Sequence, residues 1–250
     1  VRGAAVHDIR RSNGALIDRR MLVRYKLVMF DFDGTLVQIT IDFRLMRARA
    51  EEVIRRYGLE PPATRYTLEM IAAARELASK QDPALAASLV QDAEAAIRAV
   101  ELEAAPQAQP LPGVERALSW LHAEGVPIGI VTRNCRPAVL SILERLRLPY
   151  DALFTRDDVA HVKPNPEHLL ACLRALSATP ARSLMVGDHP TDVRAARAAG
   201  LVAVLVSDSH PAESAEELPD LHITRLDELI GIVQEGRWER FIRCQEEASR

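Results

Sequence analysis

Short, β-rich apolar runs alternate with helical patterns along most of this chain, and that alternation predicts a parallel sheet built from βα units. Lys26–Phe30 (KLVMF) stops at Asp31. Pro127–Thr132 (PIGIVT), Ala152–Thr155, Ser183–Gly187 (SLMVG) and Val202–Val206 (VAVLV) follow, and a weaker run, Leu221–Thr224, fits a last edge strand. Helical patterns at Gly113–Ala123, Pro137–Leu146, Pro166–Leu176 and Thr191–Ala199 separate them; the first and last end before Gly125 and Gly200, residues that commonly stop helices. The expected fold class is α/β: a Rossmann-like parallel sheet core with helices on both faces and a small inserted α-helical unit.

The insertion shows as a break in the alternation. From 42 to 105 there is no convincing strand, only Ala-, Leu-, Glu- and Arg-rich helical sequence. Phe43, Met46, Ala50, Val53, Ile54 and Tyr57 fall on one face at helical spacing. Gly58 and the Pro61–Pro62 pair end that helix, and Leu68–Ala78 and Leu85–Leu102 read as two more, separated near Asp82–Pro83. The tract from Ala104 to Gly113 holds Pro106, Pro110 and Pro112 and reads as a hinge back to the main domain. The expected organisation is an extension over 1–20, a core over 21–41 and 106–236, helices over 42–105, and a C-terminal helix over 237–250. Val1–Arg20 is polar and Arg-rich without sustained periodicity, which fits a floppy extension or a start site called too early.

Composition removes several function classes. The 250 residues carry a net charge of −3, without the basic footprint of a nucleic-acid binder. No apolar run approaches the ~20 residues that span a bilayer, so no membrane partner is expected. Cys135, Cys172 and Cys244 are scattered with no CxxC spacing, which fits reduced thiols and a cytoplasmic location.

The chemistry-bearing residues stand at the ends of the predicted strands. Asp31-Phe-Asp33-Gly34-Thr35-Leu36 follows the first directly. Thr132 ends the second, Lys163 precedes the helix opening at Pro164–Pro166, and Gly187-Asp188-His-Pro-Thr-Asp192 ends the fourth. Each alone has a bland reading as a turn, a cap or a solvated lysine. Together, and in this order, they converge where ligands bind in open α/β sheets, beyond the carboxyl ends of the strands.

This set, DFDGTL, VT, KPNP and GDHPTD, resembles the haloacid dehalogenase-like hydrolases over residues from about 25 to 235. The similarity is to the phosphatase branch with a helical cap inserted after the first strand, phosphoglycolate-phosphatase-like members included. The resemblance implies a Mg2+-dependent phosphomonoester hydrolase acting on a small phosphorylated metabolite. Asp31 would be the nucleophile that forms an aspartyl-phosphate, and Asp33 the general acid and then base. Asp31 and Asp188 would supply metal-binding carboxylates and Asp33 a backbone carbonyl, with Asp192 orienting metal-bound water. Lys163 and Thr132 would hold the transferring phosphoryl oxygens.

Arg133, Asn134, Arg44 and Arg47 are possible substrate contacts, while His189 reads as a neighbour of the metal carboxylate. Dehalogenation is disfavoured, because it needs neither the second acid nor magnesium, and both Asp33 and Asp188 are present. A phosphomutase would keep every motif, and a non-catalytic binding protein would have lost at least one of Asp31, Asp33, Lys163 or Asp188. Many phosphoglycolate-phosphatase-like members carry an Asp-Ser pair where this chain has Gln38-Ile39-Thr40, which leaves phosphoglycolate a family-level expectation. Monomer and homodimer stay equally open.

Overall fold

The computed structural model describes residues 11–12, 15–16, 27–38, 40–208 and 218–235. Apart from a two-residue antiparallel ladder between Arg11–Ser12 and Ala15–Leu16, the expected extension over 1–20 lies outside the described residues, as does the expected helix over 237–250.

Six strands form one fully parallel sheet: β1 (Leu27–Phe30), β2 (Ile128–Val131), β3 (Ala152–Phe154), β4 (Ser183–Gly187), β5 (Val202–Val206) and β6 (Leu221–Ile223). Their order across the sheet is β3-β2-β1-β4-β5-β6. Phe30 of β1 pairs with Ile130 of β2 on one side and with Val186 of β4 on the other. The expected α/β class is borne out, and Leu221–Ile223 is one of the two edge strands, with Ala152–Phe154 the other.

Strand alternation divides the apolar side chains between two faces. Val28, Phe30, Ile128, Ile130, Leu184, Val186, Val202 and Val204 pack on one side, against α4 (Val114–Ala123), α5 (Arg136–Leu146) and α8 (Glu228–Glu235). Leu27, Met29, Val131, Met185, Ala203 and Leu205 pack on the other, against α6 (Glu167–Ala175) and α7 (Pro190–Ala199). Burial on both faces is why the strands read as continuous apolar runs.

Three helices follow β1: α1 (Phe43–Arg56), α2 (Thr67–Ser79) and α3 (Pro83–Ala104). The Asp42 carboxylate caps α1 by accepting from the amides of Arg44 and Leu45, both at 2.9 Å. Asp82 caps α3, with Pro83 in the first turn where its missing N–H costs nothing. The three share a hydrophobic cluster of their own, containing Met46, Ala50, Val53, Ile54, Met70, Ala74, Leu89 and Ile97. The two chain segments linking them to the sheet lie side by side, Gln38 N donating to Gln109 O (2.9 Å) and Leu111 N to Leu36 O (3.0 Å).

One residue departs from the helical periodicity. Phe43 shares a face with Met46 and Ala50 by spacing, yet it is 53 % exposed. It is the first residue of α1, and helical side chains lean toward the N-terminus, so its ring projects past the end of the packed cluster.

Candidate active site

The strand order reverses between β1 and β4, and there a crevice opens beyond the carboxyl ends of the strands. Asp31 directly follows β1, and its amide donates to Val186 O at 2.9 Å; β4 ends in Gly187, and Asp188 follows. The chain leaves β1 in a tight loop, with Leu36 N and Val37 N both donating to Phe32 O. Gly34 turns that loop with φ +84°, and a Cβ there would stand 2.3 Å from Asp188 Oδ2. Both the left-handed backbone and the close approach of the carboxylate therefore call for glycine. Thr35 Oγ1 donates to Asp188 Oδ1 at 3.0 Å and holds it in place.

Lys163 is completely buried, and its ammonium lies 2.8 Å from Asp31 Oδ1 and 2.8 Å from Asp192 Oδ1. Burial works against its charge, but Asp192 and Asp31 outweigh it, so its pKa sits above the ordinary lysine value. Asp31 Oδ1 also accepts from the Phe32 amide at 2.7 Å. That leaves Asp31 Oδ2 as its oxygen without a donor among the described residues. Asp192 has a second duty: its Oδ2 accepts from His189 N at 3.1 Å and caps α7. The reading of Asp192 as a helix cap thus holds, and the same carboxylate pairs with Lys163.

Oxygens of Asp31, Asp188 and Asp192 lie within 4.8 Å of one another. Asp188 is held above the usual carboxylate range by burial, and then by the charges of Asp31 and Asp192. Burial also raises Asp192; Lys163 offsets part of this and Asp31 adds to it. One ammonium among three crowded carboxylates leaves negative charge in excess, and an all-oxygen donor set is the chemistry that a hard divalent cation takes. The residues present fit such an ion.

Asp33 is not a member of that carboxylate cluster. Its Oδ2 accepts from Asn134 Nδ2 at 2.9 Å, and its pKa is pushed up to about 7, chiefly by burial, with Asn134 opposing and Asp31 adding. Asn134 is itself fixed, because its Oδ1 accepts from Cys135 N at 2.7 Å. Thr132 Oγ1 accepts from Asn134 N at 3.1 Å, which leaves its own proton to donate elsewhere.

A cavity of about 400 Å3 extends from Asp31, Asp33 and Asp188 toward α1 and the segment before α2. Of the four possible substrate contacts, Arg47, Arg133 and Asn134 line it and Arg44 does not. Arg133 Nη2 pairs with Glu69 of α2 at 2.8 Å, and its guanidinium lies 5.2 Å from the ring centre of Tyr66. His189 also lines the cavity: Nδ1 accepts from Thr191 N at 3.2 Å, which puts the proton on Nε2, facing the Tyr66 hydroxyl at 3.3 Å.

Some residues of the site carry no local sequence signal. Glu101 of α3 forms a buried two-pronged pair with Arg156, Nη2 to Oε2 at 2.7 Å, beside the cavity. His168 is completely buried; its Nδ1 accepts from Lys163 N at 3.3 Å and its Nε2–H faces Phe154 O at 3.2 Å. It ties the loop that carries Lys163 to the end of β3.

Known proteins resemble this chain in sequence and in fold. A phosphoglycolate phosphatase of Pseudomonas fluorescens is 32% identical over 219 residues, covering 82% of this chain and 78% of its own length. A validoxylamine A 7'-phosphate phosphatase of Streptomyces hygroscopicus is 30% identical over 220 residues, covering 86% and 97%. Among solved structures, a haloacid dehalogenase-like hydrolase from Bacteroides fragilis superposes with a TM-score of 0.57 at 27% identity, over 82% of this chain and 100% of that one. With residues 25–200 matching the model for haloacid dehalogenase-like hydrolases, the chain belongs to that family.

Proposed function

We propose that the protein is a Mg2+-dependent phosphomonoester hydrolase that works through a phosphorylated Asp31. The observation that carries this reading is Asp31 itself, at the end of β1 with Oδ1 neutralised by buried Lys163 and Oδ2 left without a donor. The phosphatase names of the two relatives support the reaction class.

Asp31 Oδ2 attacks phosphorus; the new O–P bond forms as the ester P–O bond breaks, and the departing alcohol takes a proton from Asp33. Asp33, raised to about 7, is poised to give that proton and then to accept one from the incoming water. The water oxygen displaces Asp31 from phosphorus, releasing inorganic phosphate and restoring the carboxylate. Asn134 orients Asp33 throughout. Lys163 and the Thr132 hydroxyl bind the equatorial phosphoryl oxygens, where charge is spread in the transition state. Asp31, Asp188 and the Asp33 carbonyl would hold the magnesium ion, and Asp192 would orient its water. When bound, the ion neutralises phosphate charge, so that one anion can approach another.

The substrate is a small phosphomonoester; phosphoglycolate is the one that the Pseudomonas relative's name offers. The helices over 42–105 act as a cap whose motion relies on the paired segments around Gln38 and Gln109. Phosphate release from a panel of small esters, with and without Mg2+ and with Asp31→Asn as control, tests the proposal. Mg2+-dependent release lost in Asp31→Asn is expected; undiminished release by Asp31→Asn refutes the nucleophile. A transferred rather than released phosphate would identify a mutase.

A further inference from the structure

The walls of the cavity differ in character from one end to the other. The end at Asp31 and Asp33 is acidic, whereas the wall nearer α1 and α2 sets the apolar Ile41, Phe43, Met46 and Leu68 among Arg47, Arg65, Tyr66 and Thr67. Ile41 and Met46 are buried, at 8 % and 6 %, whereas Phe43, which lines the cavity with them, is 53 % exposed. The other aromatic ring, Tyr66, is already engaged by the guanidiniums of Arg65 at 5.3 Å and Arg133 at 5.2 Å, and by the His189 ring in a T-shaped pair 5.5 Å between centres. Phe43 has no ring or cation partner among the described residues. Glu101, the acid that α3 contributes to the lining, is neutralised by Arg156.

Glycolate is a poor match for this end of the site. It is small, charged and without an apolar face, so it would leave Phe43 in water and most of the space unfilled. The volume of about 400 Å3 falls in the ~300–1,000 Å3 range of pockets that enclose larger organic ligands. A rigid ring can cover Phe43 with one face, at little cost in internal rotation, while its polar edge meets Arg47 or Arg65, which also line the cavity.

Taking the phosphomonoesterase reading as its basis, we infer that the preferred substrate is a phosphate ester of a ring-bearing alcohol. The phosphoryl group sits at Asp31, and the apolar face of the ring lies on Phe43. Pyranose, cyclitol and aryl alcohols share this chemistry.

The test compares kcat/KM for glucose 6-phosphate, myo-inositol 1-phosphate, phenyl phosphate and 2-phosphoglycolate, each with Mg2+. At least one ring ester is expected to exceed 2-phosphoglycolate by tenfold or more, and which one does so identifies the kind of ring. Phe43→Ala should lower that ratio about tenfold and Phe43→Tyr should retain it; the exposure of Phe43 allows both variants to fold. A ratio at or below one, or a ratio that Phe43→Ala leaves unchanged, overturns the ring inference, while phosphate release keeps the phosphomonoesterase reading intact. No phosphate from any of the four esters would overturn both.

Discussion

The ammonium of Lys163 stands 2.8 Å from Oδ1 of Asp31, and no part of the lysine reaches solvent. The same ammonium is shared with Asp192 Oδ1, so a single buried cation balances two carboxylates. Lys163→Met keeps the length of the side chain and removes the charge. It should lower turnover by about 10²-fold or more, the scale seen when one transition-state donor is lost. It should also destabilise the fold by about 3–5 kcal/mol, because buried carboxylates lose their partner. Steady-state kinetics and urea unfolding read the two effects separately.

A second buried pair joins the inserted helices to the sheet domain. The carboxylate of Glu101 and the guanidinium of Arg156 are 2 % and 5 % exposed as side chains. Removing one partner strands a buried charge, so Arg156→Met should cost about 3–5 kcal/mol. The double variant Glu101→Leu/Arg156→Met should recover much of that loss. A thermal unfolding cycle over the four proteins measures the coupling directly.

Acid sensitivity should trace to His168. Burial, followed by the charge of Lys163, lowers its pKa to about 3, against ~6.5 for an unfolded histidine. Between those values the unfolded chain binds the extra proton. Stability contributed by the neutral ring is therefore complete above about pH 6.5 and falls on acidification at up to ~1.4 kcal/mol per pH unit. Wild type should lose more stability between pH 6.5 and 5 than His168→Gln does. Parallel pH profiles for the two proteins would remove His168 as the cause.

Magnesium should stabilise the fold independently of turnover. An ion that binds the folded state alone adds about 2.7 kcal/mol at a hundred times its Kd. Asp188→Asn should blunt the rise in melting temperature on adding Mg2+. Without the ion the same variant should be at least as stable as wild type, since burial and the nearby carboxylates disfavour a charge at Asp188. A full Mg2+ response in Asp188→Asn would take this residue out of the metal site.

The parallel sheet is legible in the sequence because each strand is buried on both faces and reads as an unbroken apolar run. Asp31, Thr132, Lys163 and Asp188 are legible as candidates because they follow strand ends or open the next helix. Glu69, Glu101 and Tyr66 are not, because their partners Arg133, Arg156 and His189 stand 64, 55 and 123 residues away. No local pattern links residues so far apart. Phe43 misleads for a different reason: helical spacing assigns a face, but not where the packed cluster beneath that face stops.

The proposed mechanism stands on a covalent bond between phosphorus and Asp31. Rapid acid quenching during turnover with Mg2+, followed by peptide mass spectrometry, tests it most directly. The peptide containing Asp31 should gain the mass of one phosphoryl group, and Asp31→Asn should show neither adduct nor turnover. A phosphoryl group trapped on another residue, or turnover surviving in Asp31→Asn, would contradict it.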